Sequence, residues 1–247
     1  MFWKPPPGCV SISPLIEIEG VFSSVSDPTI TPARRIVAAA ATLAALTALT
    51  VPAPIAAAAP CPDLDLVFAR GTSEPPGIGR VGQALTDTLQ SELAGRDVTT
   101  YAVNYPATYD FLAAADGAAD ATNHILATAA ACPSTRFVLG GYSQGAAVID
   151  MLLGIPPLGN KVGDIGSAPP LPSSVANKVA AVAVFGNPAT KFGNPITAAG
   201  PPFAGKGIDL CNDGDPICSP GRNPFAHTDY EGTPLPGQAA GFIAGLL

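Results

Sequence analysis

The pentapeptide Gly141-Tyr142-Ser143-Gln144-Gly145 follows directly on the strand-like run Arg136-Phe137-Val138-Leu139-Gly140 and leads straight into a helix-forming stretch. Gly-x-Ser-x-Gly between a strand and a helix is a turn that lifts a serine hydroxyl onto the rim of a sheet, where it can act as a nucleophile. The turn is strained and crowded, so side chains at its two glycine positions would collide with neighbouring backbone. In a chain with 26 glycines the pentapeptide alone is a weak signal. Its weight comes from what surrounds it.

Strand-like runs alternate with helical periods along the chain. Residues 64–69 read as a first strand, and Val81, Leu85, Leu89 and Leu93 recur every four residues, marking a helix over 81–94. A strand follows at 99–103. Phe111, Ala115, Ala118, Thr122, Ile125, Leu126 and Ala129 mark a long helix that stops before Cys132-Pro133. Residues 137–140 feed the serine turn and 144–153 form the helix behind it. The unbroken apolar run 179–185 is expected of a strand buried on both faces. Residues 208–210 read as a last short strand, and 238–247 as a closing helix. This alternation predicts an α/β fold, a parallel sheet covered on both faces. The Pro- and Gly-rich segments 154–177 and 187–207 read as loops on one rim, where such sheets bind ligands.

The first 58 residues are expected to be a leader that is removed, with one domain over 59–247. Arg34-Arg35 precede the uncharged Ala- and Leu-rich run 36–51, which is followed by Pro52-Ala53-Pro54-Ile55 and an alanine tract. A basic start, an apolar centre and small residues at the end describe a secretory signal, with cleavage after Ala58. The run is shorter than the roughly 20 residues needed to span a bilayer, so no stable membrane span is expected. Residues 1–32 carry no period, and we expect translation to begin nearer Val25. Charged residues make up 13% and apolar ones 47%, with a net charge of −7. These values support a packed core and exclude disorder, and without a basic cluster they speak against a nucleic-acid partner.

Past the leader stand four cysteines, Cys61, Cys132, Cys211 and Cys218. An even set in an exported protein reads as two disulfides, and the economical pairing is Cys211–Cys218 with Cys61–Cys132. Chain entropy gives about 2.5 kcal/mol for the short loop and about 4.4 kcal/mol for the long one. No Cys-x-x-Cys pair is present, so no metal site is expected.

A serine hydroxyl needs a base, and the base needs an orienter. Of the two histidines, His124 falls inside the long helical period and reads as a helix-face residue. His227 lies in the loop Asn223-Pro224-Phe225-Ala226-His227, after the last strand. The order serine, acid, histidine is that of the α/β-hydrolases. The acid is one of Asp209, Asp213, Asp215 and Asp229. Asp215 is favoured because the Cys211–Cys218 loop would fix it, with Asp213 next. For an oxyanion, the N–H of Gln144 and a donor from the loop 69–74, with Thr72 first, are the candidates.

Taken together, Val67-Phe68-Ala69-Arg70-Gly71-Thr72, Asn104-Tyr105-Pro106-Ala107, Gly140 through Ala146, Cys211 through Cys218, and Ala226-His227 resemble the cutinase family of secreted serine esterases. The resemblance runs from Cys61 nearly to the end. It implies a small α/β-hydrolase with about five parallel strands, Ser143 as nucleophile, His227 as base and Asp215 as acid. Thr72 and Gln144 would form the oxyanion hole. It also implies no cofactor, no bound metal, no long lid, and aliphatic ester, lipid or polyester substrates. We expect a monomer, secreted to the exterior or cell envelope. For the pocket wall we expect Leu153, Ile155, Leu158, Phe192, Ile196, Phe203 and Phe225. Two rival readings stay open: a long-chain lipase, phospholipase or acyltransferase, and a secreted binding or antigenic protein without catalysis.

Overall fold

A computed structural model describes residues 60–158 and 165–247; the expected leader and its cleavage point lie outside the described residues. Five parallel strands form one sheet, in the order β2-β1-β3-β4-β5. They are β1 (Leu64–Ala69), β2 (Val98–Ala102), β3 (Arg136–Tyr142), β4 (Val179–Phe185) and β5 (Gly207–Leu210). The longer helices are α1 (Gly79–Glu92), α2 (Ala114–Ala131), α3 (Gln144–Leu152) and α7 (Leu235–Ala244). Among the described residues, three single-turn α-helices lie between α3 and α7, α4 (Ser173–Ala176), α5 (Pro188–Lys191) and α6 (Pro224–His227), together with a 3-10 turn at Ile196–Ala198.

Strand periodicity explains the two cores. Leu64, Leu66 and Phe68 of β1 face one side, where Val81, Leu85 and Leu89 of α1 and Ala239, Ala240 and Ile243 of α7 cover them. Val67 and Ala69 face the other side, against Ala114, Ala118, Ala121 and Ile125 of α2 and the apolar face of α3. Every residue of β4 is buried, as its unbroken apolar sequence requires of a strand in the middle of a covered sheet. By contrast β2 is an edge strand, half-buried, with Thr99 and Thr100 exposed.

The long helix expected to begin near Phe111 starts as a single 3-10 turn, Phe111–Ala113. Asp110 explains this, because its carboxylate accepts from the Leu112 N–H and caps the turn. The closing helix begins earlier than expected, at Leu235, because Pro236 sits within its first turn, where a missing N–H costs nothing.

Two polar groupings of buried and half-buried side chains brace the sheet. His124 of α2 places Nε2 2.6 Å from Asp65 Oδ2 and stacks on Tyr101, ring centroids 3.5 Å apart. It sits by the N-terminal end of β1, far along the strand from the serine turn. Asn187 donates from Nδ2 to both Asp150 of α3 and Asp209 of β5, each at 3.1 Å. Burial raises the Asp150 carboxyl well above the ordinary range, against the Asn187 hydrogen bond that lowers it, and nearby Asp209 raises it further.

The disulfides join Cys61 to Cys132 and Cys211 to Cys218. The first pins the entry to β1 onto the end of α2, across 71 residues of sequence. Breaking a loop of that length should cost about 4 kcal/mol. We predict that Cys61→Ser/Cys132→Ser lowers the unfolding free energy by that amount in a guanidinium titration, with a lower midpoint and a steeper slope, because the unfolded chain without the cross-link exposes more surface. Equal midpoints would show that the reduced chain is already held as tightly without the bond.

Candidate active site

The site assembles at the C-terminal ends of the strands. Ser143 joins β3 to α3 at φ 56°, ψ −115°, a left-handed backbone that a side-chain-bearing residue seldom adopts. Its N–H donates to Phe185 O at 2.9 Å and its carbonyl receives Ala146 N–H at 3.0 Å, so β4 and α3 hold the turn from both sides. The glycines are required by space. A Cβ on Gly145 would lie 1.9 Å from Ala69 O, and one on Gly141 2.3 Å from Gly145 O, both backbone atoms that cannot give way.

Ser143 Oγ is 2.8 Å from His227 Nε2, and His227 Nδ1 is 2.8 Å from Asp215 Oδ2. His227 stands at the end of the one-turn helix α6, where Asn223 caps the turn by accepting from Phe225 N–H. The sequence reading placed it in a loop; Pro224 at the first helical position starts a turn that Thr228 ends. Tyr142 donates its hydroxyl to the His227 carbonyl, which anchors the backbone behind the ring.

Asp215 is fully buried, whereas Asp213 is exposed. Gly214, at φ +85°, reverses the chain between them, so only one of the two can face inward. Asp209 is occupied by Asn187, Thr190 and the Thr197 N–H. Asp229 is exposed. Asp215 Oδ1 accepts from Ile217 N–H at 2.7 Å, and Oδ2 accepts from Tyr230 at 2.6 Å as well as from His227. Burial alone would raise this carboxyl. The hydrogen bonds from His227, Tyr230 and Ile217 outweigh it and, with the histidine charge, hold Asp215 below the ordinary carboxylate range. An ionised Asp215 can only accept, so Nδ1 carries the imidazole proton and Nε2 is left to accept from Ser143.

Thr72 comes to the same place from the loop after β1, half-buried, its hydroxyl 3.3 Å from Gln144 Oε1. The Gln144 N–H is at the start of α3, where backbone donors have no partner within the helix. Arg70, inside the loop 69–74 expected to supply an oxyanion donor, is buried and spends its guanidinium on the backbone. It reaches Glu74 O at 2.9 Å, Tyr105 O at 2.7 Å, Pro106 O at 3.3 Å and Val103 O at 3.4 Å. Ser73 N–H adds a 2.7 Å bond to Ala107 O. The Thr72 loop is thereby tied to the loop after β2.

A cavity of about 510 Å³ opens over Ser143, with Tyr109, Phe111, Leu158, Ile165, Pro188 and Ile217 on its walls. Of the expected wall residues only Leu158 lines it. Ile196 and Phe203 are buried in the core, Leu153 and Ile155 pack against that core, and Phe225 points to solvent at 78% exposure. Gly186 was missed as well. At φ +58°, a Cβ there would come within 2.9 Å of the His227 ring and 3.2 Å of Asp215 Oδ2, so only glycine leaves room for the pair.

The Cutinase family model matches residues 60–247. The chain belongs to the cutinase family. Among curated relatives, it is 54% identical over 151 residues to phospholipase Culp4 of Mycobacterium tuberculosis, covering 61% of this chain and 62% of that protein. It is 52% identical over 138 residues to the probable carboxylesterase Culp3 of the same organism, covering 56% and 50%. Among solved structures, it resembles Trichoderma reesei cutinase in complex with a phosphonate inhibitor, with 32% identity, TM-score 0.58 and 76% and 77% of the two chains covered. The catalytic core domain of acetyl xylan esterase from Trichoderma reesei aligns at 26% identity and TM-score 0.63, over 76% and 100%. The matched stretch spans half to three-fifths of the length of these first two relatives.

The depressed Asp215 carboxyl carries a stability signature. Its folded value lies below the unfolded one, so its contribution is present above the unfolded value, about pH 3.9, and is lost as pH falls through the folded value. We predict that the stability advantage of the wild type over Asp215→Asn, measured by urea unfolding, shrinks between pH 5 and pH 2.5. An advantage that stays constant would show that Asp215 titrates alike in both states.

Proposed function

We propose that the chain is an exported carboxylic ester hydrolase in which Ser143 is the nucleophile, His227 the general base and acid, and Asp215 the orienting carboxylate. The observation that carries this reading is the continuous hydrogen-bonded chain from Ser143 Oγ to the Asp215 carboxylate, with 2.8 Å at each step. Ser143 Oγ attacks the ester carbonyl carbon while its proton passes to His227 Nε2. The tetrahedral oxyanion is received by the N–H of Gln144 and the N–H of Thr72, with the Thr72 hydroxyl keyed to the Gln144 amide. The imidazolium, stabilised by Asp215, gives its proton to the departing alkoxide. Water repeats the sequence on the acyl-serine and frees the acid.

The substrates proposed are aliphatic esters of short to medium acyl length, including polyesters. The cavity walls named above are apolar, and none presents a charged group to select a charged substrate. A second reading, a lipase or phospholipase acting on longer chains, draws on the exposed apolar side chains Tyr109, Phe111, Leu112, Ile217 and Phe225, and on the relative named a phospholipase. Among the described residues no helix is long and apolar enough to cross a membrane, and two disulfides fit an oxidising compartment. With the signal-like segment before Ala58, these support secretion of a domain beginning at Ala59.

Initial rates on p-nitrophenyl esters of increasing acyl length should peak at short to medium chains. They should fall by about 10⁴-fold or more in Ser143→Ala. A peak at long chains would move the protein to the lipase reading. A rate independent of Ser143 would overturn the hydrolase assignment.

A further inference from the structure

Tyr230 lies three residues beyond His227 and is fully buried. Its phenol oxygen is 2.6 Å from Asp215 Oδ2, 3.0 Å from the Asn212 backbone nitrogen and 3.4 Å from Cys218 Sγ. The phenol has a single proton to give. Asn212 N–H can only donate, so the phenol oxygen accepts there. Cys218 is oxidised to a disulfide, and its sulfur is a weak and distant acceptor. The 2.6 Å contact has the length of a hydroxyl donated to a carboxylate. The proton therefore goes to Asp215 Oδ2, the same oxygen that meets His227 Nδ1.

The ring is held for this task. Tyr142, Phe185 and His227 surround it, with centroids 5.5, 6.0 and 6.3 Å away. Burial, then the bond to Asp215, push the Tyr230 phenol above the ordinary tyrosine range, so it stays a donor across neutral and mildly alkaline pH. Tyr142 packs on the His227 and Tyr230 rings with its hydroxyl spent on the His227 carbonyl, and the charged groups that act on Tyr142 are Glu74, Arg80, Asp215 and Glu231.

We propose that Tyr230 is a positioning residue for the ester hydrolysis assigned above, acting through Asp215. It fixes the carboxylate so that Oδ2 points at His227 Nδ1, and it takes up part of the charge on that oxygen. It thereby limits how strongly Asp215 favours the imidazolium and sets the pH at which His227 becomes a free base. The Cys211–Cys218 bond supports it from behind, with Cys218 against the phenol and the Asn212 N–H keyed to it. This inference rests on the hydrolase reading for its kinetic consequence, but its effect on His227 can be read without any substrate.

The test uses the purified protein and two variants. Tyr230→Phe keeps the ring and removes the donor. Tyr230→3-fluorotyrosine keeps the fold and makes the donor stronger, because fluorine beside the hydroxyl acidifies it. The chain has only two histidines, so NMR titration can follow His227 with His124 as an internal reference. The His227 midpoint should rise by about 0.5 to 1 unit in Tyr230→Phe and fall in the fluorinated form, with His124 unmoved in both. The acid limb of kcat/KM should move with it, and kcat in Tyr230→Phe should drop about tenfold, on the order of one hydrogen bond to a charged group. If Tyr230→Phe does not fold, the fluorinated variant carries the test alone. A His227 midpoint unchanged across the variants that fold would overturn the proposal and leave Tyr230 a packing residue. Shifted midpoints together with ester hydrolysis that survives Ser143→Ala would uphold the link to His227 while sinking the hydrolase reading.

Discussion

The contact on which the rest depends is the approach of Gly145 to the carbonyl of Ala69, where no side-chain carbon fits. It brings the N-terminus of α3 hard against the end of β1. Ser143 can then sit at positive φ, its N–H taken by β4 and its carbonyl by α3. A conformation of that kind costs on the order of 1–3 kcal/mol and persists only where its surroundings over-determine it. Here the surroundings are the sheet itself. Because β1, β3 and β4 are adjacent and parallel, their ends deliver Thr72, Ser143 and Gly186 to one place.

The second constraint is electrostatic. A carboxylate that is fully out of water would ordinarily take up a proton, and Asp150, also fully buried, is driven in that direction. Asp215 goes the other way because three donors converge on it: His227, Tyr230 and the Ile217 N–H. The two aspartates show that burial does not set the charge of a group without its hydrogen bonds. In the proposed reaction the lowered Asp215 keeps Nδ1 protonated, which leaves Nε2 able to take the serine proton.

Much of the fold was legible in the sequence because its signals are local and periodic. The apolar run of β4, the four-residue recurrence in α1 and the strand-turn-helix around Ser143 each name an element without reference to the others. The trio Ser143, Asp215 and His227 was legible through motif, order and resemblance, although spacing alone barely separates Asp215 from Asp213. That choice is made by the left-handed Gly214, a backbone reversal that a Cys-Asn-Asp-Gly-Asp string does not announce. The pocket wall was the least legible part. Phe203 and Phe225 look alike in sequence, yet one is buried in the core and the other faces solvent. Arg70, Gly186 and Tyr230 escaped notice for a related reason: each acts through a partner far along the chain or across a turn. The only sequence signal was chemical, an arginine at the end of an apolar strand and a tyrosine three residues after the histidine.

Covalent labelling tests whether this turn makes Ser143 a nucleophile. A p-nitrophenyl phosphonate reports on the hydroxyl itself, with no acyl preference to interpret. After incubation with the protein, peptide mass spectrometry should find one phosphonyl group per chain, on the peptide carrying Ser143. The label should be absent from His227→Ala, in which the serine has lost its base. A label on another residue, or none on the folded wild-type protein, would contradict the account.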